Sequence, residues 1–145
     1  MAAVIRTSRP PSRRNRTRQR ERILQLLRGT DTHPTANWIH ETLRPEFPRL
    51  SLGTVYRNLE VLVSEGLVIE VPVPGSTSRY DGNPEPHHHF VCERCRNIDD
   101  LEIRVAEPLE ARVRRKYGLR PHGYRIDFYG LCLACSGRGD AASTP

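Results

Sequence analysis

Two Cys-x-x-Cys pairs, Cys92–Cys95 and Cys132–Cys135, constrain the fold of this chain more than any other feature. They contain all four cysteines of the 145-residue sequence, and 36 residues separate the two pairs. Two such pairs that meet around one Zn²⁺ form a tetrahedral structural site, whose four thiolates leave no coordination position open for catalysis. Two disulfides or a redox-active pair are the alternative interpretations. The interval leaves room for a strand, a helix and a second strand.

The excess positive charge is confined to the first half of the chain. Residues 1–80 contain 13 arginines and 7 acidic residues, whereas residues 81–145 contain 10 basic and 10 acidic residues, so the first half holds the whole net charge of +6. This asymmetry indicates that the first half meets a polyanion, with double-stranded DNA as the leading candidate, and that the second half has another task. A solvated basic face without a partner is the alternative.

The first half also has the element order of a winged helix-turn-helix domain, at residues 16–80, behind a basic, disordered arm at 1–15. Apolar residues at helical spacing predict three helices over about residues 16–28, 35–44 and 52–65. We expect the second helix to bury Trp38. Residues 67–80 indicate a two-stranded hairpin.

The third helix is the expected DNA reader, because the second helix of such a motif pair lies in the major groove. Its apolar stripe leaves Thr54 and Arg57 on the opposite face, with Asn58 at the margin. Arg57 has the fork that matches guanine O6 and N7, while Thr54 and Tyr56 suit phosphate or thymine-methyl contacts. Asn58 and Arg18 complete the candidate DNA contacts. A helical subdomain that binds protein instead of DNA is the alternative.

The second half begins after a hinge at residues 81–86, which contains two prolines and a glycine. Residues 87–136 have the pattern of an α/β domain, with strands at 87–92, 98–103 and 124–129, a helix at 105–117 and a disordered tail at 137–145. The chain as a whole is therefore predicted to be an α+β protein with two small domains.

Three consecutive histidines precede the first cysteine pair, and His87 and His89 share one face of the predicted strand. Asp81 and the acidic run at residues 99–102 could complete a site of imidazoles and carboxylates. A nitrogen and oxygen site with five ligands suits Fe²⁺ or Mn²⁺ better than zinc. We therefore interpret the chain as binding two metals, one structural and one regulatory.

Four motifs follow one another along the chain: HPTA at 33–36, TVYRNL at 54–59, HHHFVC-x-x-C at 87–95 and YG-x-C-x-x-C at 129–135. Over about Arg18 to Ser136, the chain with these motifs resembles the ferric uptake regulator (Fur) family. The resemblance implies an N-terminal winged-helix domain and a C-terminal α/β dimerisation domain. It also implies a homodimer on palindromic operator DNA and a structural zinc on the four cysteines.

Within the family, the chain looks most like the peroxide-sensing (PerR) branch. The regulatory Fe²⁺ or Mn²⁺ site of that branch maps onto His33, Asp81, His87, His89 and Asp100, and the resemblance implies that the metal ties the two domains together. In that branch, Fe²⁺ reacts with H₂O₂ and a ligand histidine is oxidised, here His33 or His87, after which the DNA is released. Mn²⁺ occupies the site without this chemistry.

Other functions are compatible with parts of the pattern. An iron- or manganese-uptake regulator without peroxide sensing is one alternative, and a zinc-stapled protein-interaction module is the alternative from another class. Many members of the family carry an additional metal site, but here Tyr124 stands at a position where they have a histidine, which leaves Glu107 and His88 as possible ligands. With no apolar membrane span or secretory signal in the sequence, we expect a cytoplasmic protein without membrane contact.

Overall fold

The computed structural model describes residues 17–104 and 107–137. The predicted arm at 1–15 and the predicted tail after residue 137 lie outside that part of the chain. The described residues form two compact units, the first ending at Glu85 and the second beginning at Pro86. Within the described ranges, no helix is long and apolar enough to cross a membrane.

Each helix of the first unit begins at a hydroxyl side chain. The helices are α1 (Arg18–Arg28), α2 (Ala36–Leu43) and α3 (Leu52–Ser64). The side-chain oxygens of Thr17, Thr35 and Ser51 each accept a backbone N–H from the first turn of the helix that follows. Such a cap stabilises a helix by about 1 kcal/mol. The three predicted helices are confirmed to within a few residues at their ends.

The three helices of the first unit pack their apolar stripes into one core. This core contains Ile23, Leu24, Leu27, Ala36, Ile39, Leu43, Leu50, Val55, Leu59, Leu62, Val68 and Tyr80. The prediction that Trp38 is buried is wrong, because its side chain is 42% exposed. The buried residues of α2 recur at intervals of three and four, and Trp38 lies about 100° of helical rotation away from Ile39.

A hairpin of β1 (Ile69–Val71) and β2 (Arg79–Asp81) completes the first unit. The two strands are antiparallel, with Ile69 opposite Asp81. Asp81 is therefore the last residue of a strand, and not the first residue of the predicted hinge. The backbone N–H of Tyr80 donates to the Pro34 carbonyl at 3.0 Å, which fastens β2 to the segment before α2. Three helices followed by this hairpin have the element order of a winged helix.

The second unit contains a three-stranded sheet with one parallel and one antiparallel pairing. Its elements are β3 (His88–Cys92), β4 (Ile98–Leu101), α4 (Leu109–Tyr117), β5 (Asp127–Gly130) and α5 (Leu133–Ser136). The strand order is β4-β3-β5, in which β3 pairs antiparallel to β4 and parallel to β5. The α+β prediction is therefore confirmed.

Several elements of the second unit differ from the prediction. The described part of the predicted helix at 105–117 becomes helical only from Leu109, because Pro108 occupies the N-cap position. The last strand begins at Asp127 instead of Tyr124. The four-residue helix α5 was not predicted, because one turn is too short to show a periodic pattern.

Candidate metal centres and DNA-facing helix

The four cysteines lie together where β3 and β5 end. Each offers one sulfur atom, and the four sulfur atoms lie within 4.8 Å of one another without a disulfide. The sulfur atoms of Cys95 and Cys132 are 3.7 Å apart. Tetrahedral zinc with Zn–S bonds of about 2.3 Å would separate two sulfur atoms by about 3.8 Å. The donor set and its spacing therefore fit one Zn²⁺.

Hydrogen bonds to backbone carbonyls define the conformation of the two cysteine turns. In the first turn, the N–H of Arg96 donates to the Cys92 carbonyl at 2.9 Å, and Arg96 adopts a left-handed conformation with φ of 64°. In the second turn, the N–H of Cys135 donates to the Cys132 carbonyl at 3.0 Å. The Arg94 guanidinium connects the turns by donating to the Cys135 carbonyl at 2.6 Å. The thiols are thus preorganised.

The electrostatic environment of the four thiols favours a bound cation. Backbone N–H groups point at the Cys92 sulfur, first among them that of Cys132 at 3.4 Å, and they lower the pKa of Cys92 to about 6. Burial, together with the neighbouring thiols, raises the pKa of Cys135 to about 12. One thiol of the group therefore ionises readily while another resists, and a divalent cation supplies the charge that stabilises four adjacent thiolates.

In the first unit, His33 and Asp81 form a buried pair. His33 Nε2 lies 3.2 Å from Asp81 Oδ2, and the two side chains are 4% and 9% exposed. Asp81 Oδ1 accepts the backbone N–H of Asn83 at 2.8 Å, and Arg79 Nη1 donates to the His33 carbonyl at 3.0 Å. His33 has a φ of 50°. This left-handed conformation costs a non-glycine residue about 1 kcal/mol, and such strain clusters at functional sites.

In the second unit, one carboxylate lies between two imidazoles. Asp100 Oδ1 is 3.2 Å from His87 Nε2 and 3.4 Å from His89 Nε2. The two imidazole rings have centroids 4.5 Å apart, which agrees with the predicted shared face. The Asp99 side chain makes a different contact, because its Oδ1 accepts a hydrogen bond from the side-chain amide of Asn97 at 2.9 Å. Asp100 is therefore the member of the acidic run that accompanies the histidines.

Asp127 is a site residue that the sequence analysis did not identify. It lies opposite His89 in the parallel pairing of β3 with β5, and Asp127 Oδ1 is 3.3 Å from His89 Nδ1. Arg125 holds the other oxygen, Oδ2, through Nη2 at 2.9 Å and Nε at 3.1 Å. Burial alone would raise the pKa of Asp127, but the hydrogen bond with His89 and the charge of Arg125 outweigh burial and hold this pKa below its ordinary value.

The residues considered for an additional metal site make other contacts. His88 Nδ1 accepts the backbone N–H of Ile126 at 3.2 Å, and the His88 ring stacks on Tyr124 with centroids 5.5 Å apart. Glu107 forms an ion pair with Arg115. Within the described part of the chain, neither Glu107 nor His88 belongs to a group of three or more metal-ligating side chains.

On α3, the side chains expected to contact DNA have different environments. Arg57 is exposed, and its Nη2 donates to Thr54 Oγ1 at 3.0 Å. Thr54 Oγ1 also lies 2.8 Å from the hydroxyl of the capping residue Ser51. Tyr56 is half-buried and packs against the core. The Arg57 guanidinium is therefore at the surface, and its hydrogen bond to Thr54 fixes its orientation.

Asn58 does not lie on the exposed margin where we expected it. It is only 5% exposed. Its Oδ1 accepts from Arg20 Nε at 3.0 Å, and its Nδ2 donates to the Thr54 carbonyl at 3.0 Å. Asn58 therefore orients Arg20 and does not face outward as a DNA contact. Arg18 is exposed at the start of α1, where its guanidinium lies over the Phe47 ring, 5.6 Å from the ring centroid.

Comparison with known proteins gives a consistent set of relatives. The model of the ferric uptake regulator family matches residues 13–129. The peroxide-responsive repressor PerR of Staphylococcus saprophyticus is 37% identical over 119 residues, which cover 82% of this chain and 80% of that protein. A crystal structure of the Campylobacter jejuni peroxide stress regulator is 32% identical with a TM-score of 0.70, covering 81% of this chain and 88% of that one. A zinc uptake regulator solved with zinc and DNA is 27% identical with a TM-score of 0.61, covering 82% and 81%.

Proposed function

The chain belongs to the ferric uptake regulator family, and we propose that it is a metal-dependent transcriptional repressor that senses peroxide. Proteins of this family are transcription regulators and not enzymes. The observation that carries the proposal is the presence of imidazole and carboxylate pairs within each unit, together with a four-thiol group, in a chain 37% identical to a peroxide-responsive repressor. The location consistent with this function is the cytoplasm.

The regulatory metal is Fe²⁺ or Mn²⁺, held by His33 and Asp81 of the first unit together with His87, His89 and Asp100 of the second. Each group is formed inside its own unit by the contacts described above, and neither alone offers more than three ligands. Together they supply the mixed nitrogen and oxygen donors that Fe²⁺ and Mn²⁺ prefer. An ion shared in this way would make the orientation of the DNA-binding unit depend on metal occupancy.

In the proposal, peroxide is sensed through oxidation of a histidine that binds the regulatory metal. When bound, Fe²⁺ supplies the one-electron reduction of H₂O₂ that oxidises a nearby side chain, whereas Mn²⁺ does not supply it. His33 and His87 are the oxidation-sensitive residues of the proposal. An oxidised imidazole is a poorer nitrogen donor, so the remaining ligands would hold the ion less tightly and DNA affinity would fall.

The structural metal is Zn²⁺ on Cys92, Cys95, Cys132 and Cys135. Support comes from the sulfur spacing, the preorganised turns and the absence of disulfides among these four described residues. Since all four ligands are thiolates, the ion has no open coordination position. It crosslinks the end of β3 to the segment after β5.

The DNA-binding surface is α3, which enters the major groove of a palindromic operator. Arg57 is the base reader, and the hydroxyl of Thr54 holds its guanidinium in place. Tyr56 and Arg18 contact the phosphate backbone beside it. Asn58 contributes by positioning Arg20 of α1, whose Nε donates to Asn58 Oδ1 on α3. The solved complex of a zinc uptake regulator with DNA supports the choice of partner.

The protein acts as a homodimer through its second unit. No residue of the nine-residue helix α4 is buried, and an isolated helix of this length is marginal in water. Large apolar side chains of this unit are exposed, namely those of Ile103, Tyr117, Leu119, Phe128, Tyr129, Leu131 and Leu133. A second copy of the chain would cover these side chains and stabilise α4.

Operator binding before and after oxidation tests the proposal. The zinc-loaded protein is bound to operator DNA with Mn²⁺ or Fe²⁺, exposed to micromolar H₂O₂ and digested for mass spectrometry of the histidine peptides. We expect only the Fe²⁺ form to release DNA and to gain one oxygen atom on His33 or His87. If both forms keep DNA and no histidine is oxidised, the protein is an iron- or manganese-uptake regulator. If neither form binds duplex DNA in a salt-dependent manner, the interaction-module alternative replaces both.

A matched set of substitutions tests whether the two units share one ion. We expect His33→Ala and His89→Ala each to abolish stoichiometric Mn²⁺ binding while the zinc content stays unchanged. His122→Ala is the control, because His122 is exposed and outside both groups. Unchanged Mn²⁺ affinity in His33→Ala, measured by calorimetry, would show that the second unit binds the ion by itself.

A further inference from the structure

We propose that Asp127 is a positioning residue for the regulatory metal, which fixes the tautomer and the ring orientation of His89. The inference deepens the proposed function and rests on the assignment of His89 as a ligand. Its starting point is a row of three residues across the sheet of the second unit. Asp100 of β4, His89 of β3 and Asp127 of β5 lie opposite one another in register.

The row places carboxylates on both sides of one buried imidazole. His89 is 0% exposed, with Nε2 3.4 Å from Asp100 and Nδ1 3.3 Å from Asp127. A neutral imidazole carries a hydrogen on only one of its two nitrogen atoms. The side on which that hydrogen lies decides which nitrogen offers a lone pair to a metal.

The surroundings of Asp127 identify Nδ1 as the nitrogen that carries the hydrogen. Arg125 contacts Oδ2 through two nitrogen atoms, which leaves Oδ1 directed at His89. Both neighbouring carboxylates accept hydrogen bonds, but Asp127 is 13% exposed and held by Arg125, whereas Asp100 at Nε2 is 46% exposed, so Nδ1 donates to the more firmly held acceptor and Nε2 keeps its lone pair. Carboxylates in this position orient metal-ligating histidines, and their loss weakens metal binding by about 10–100-fold. Because Arg125 engages its second oxygen, Asp127 acts through His89 and is not itself a ligand.

The experiment combines metal affinity with a direct view of the imidazole. In the zinc-loaded protein without Mn²⁺, ¹⁵N NMR reports which nitrogen of His89 carries the hydrogen, and calorimetry then gives the Mn²⁺ affinity. We expect wild type to show hydrogen on Nδ1. Asp127→Asn should populate the other tautomer and bind Mn²⁺ about 10–100-fold more weakly with unchanged zinc content. Asp99→Asn is the control, because Asp99 is an exposed residue of β4 that bonds to Asn97.

Further variants keep the inference falsifiable. If Asp127→Asn fails to fold, Arg125→Gln frees the carboxylate and should shift the tautomer in the same direction with a smaller loss of affinity. An unchanged tautomer and Mn²⁺ affinity in a folded variant would overturn the inference. Lost affinity with an unchanged tautomer would also overturn it, because Asp127 would then be a ligand. Since the tautomer is read without Mn²⁺, failure of wild type to bind Mn²⁺ would refute the proposed function and leave the test of Asp127 intact.

Discussion

The two units of the chain are stabilised by different means. Of the buried hydrophobic residues in the described ranges, 15 lie in the first unit and only 3 in the second, namely Val91, Cys92 and Ile98. The second unit instead buries His88 and His89, brings four thiols together and leaves no residue of α4 buried. The first unit thus has the larger apolar core of the two, and we propose that bound ions and a second copy of the chain stabilise the second unit.

The contrast between the two units indicates where regulation can act. Because the first unit is stabilised by an apolar core, we expect it to stay folded with or without ions and to present Arg57 in the same way. A unit whose stability is tied to ligands responds to them, since binding free energy and folding free energy are then the same quantity.

Removal of the structural zinc should produce the largest difference in stability between the two units. Structural zinc contributes about 10–16 kcal/mol of apparent binding free energy in small domains, which exceeds the stability of most domains. We expect Cys132→Ser, or chelation of wild type, to unfold the second unit and dissociate the dimer while the helices of the first unit persist. Amide NMR spectra and zinc analysis measure this. An intact, zinc-free dimer would contradict the four-thiolate assignment, and zinc added back to the chelated wild type is the control.

Truncation of a core side chain should damage the first unit alone. Leu59 is 0% exposed on α3, and Leu59→Ala should lower the free energy of unfolding of that unit by about 2–5 kcal/mol. Zinc content should not change. Urea denaturation followed by helix signal measures the loss. As the control, Leu133→Ala alters a residue of the second unit that is 89% exposed and should leave unfolding of the first unit unchanged.

Alkaline pH should destabilise the first unit through one buried phenol. Burial, followed by the charge of Glu70, raises the pKa of Tyr80 from 10.0 to about 12. Because the folded-state pKa is raised, the stabilisation is complete below pH 10 and is lost as the pH rises towards 12. The loss is roughly 2–3 kcal/mol, which urea midpoints at several pH values measure. Tyr80→Phe should abolish this dependence, and an equal fall in that variant would assign it to other groups.

Two matched glycines should give the smallest and most informative effect. Gly66 follows α3 with a φ of 70°, Gly118 follows α4 with a φ of 68°, and a β-carbon at either would meet open space. Alanine at either position should therefore cost about 1 kcal/mol from left-handed strain alone. We expect Gly66→Ala to lower the unfolding midpoint of the first unit.

In the second unit, the same strain should appear as weaker association. Since we propose that α4 is covered by a second copy, Gly118→Ala should raise the dimer dissociation constant about 30-fold, as about 1 kcal/mol in each of the two protomers implies. Analytical ultracentrifugation measures this constant. An unchanged dimer with a destabilised protomer would show that α4 folds without the partner.

The sequence predicted those features that local chemistry determines. Helix positions followed from apolar spacing and from capping residues such as Ser51, and the four-thiol group followed from the Cys-x-x-Cys pairs. Two errors came from side-chain environment: Trp38 lies just beside the buried stripe of α2, and Asn58 is held inward by Arg20. Asp127 could not be found because it meets His89 through a pairing of strands 38 residues apart. His33 was placed by resemblance alone.

The strands β3 and β5 run side by side from a histidine site to a thiolate site. His89 lies opposite Asp127, and three residues further along Cys92 lies opposite Gly130, just before Cys132. A slip of one residue between the strands would turn the side chains of β5 to the opposite face and take Asp127 away from His89. By binding Cys92 of β3 and Cys132 just after β5, the proposed zinc ion would hold the two strands in this register. Zinc shortage should therefore blunt the response to the regulatory metal even when iron and manganese are plentiful.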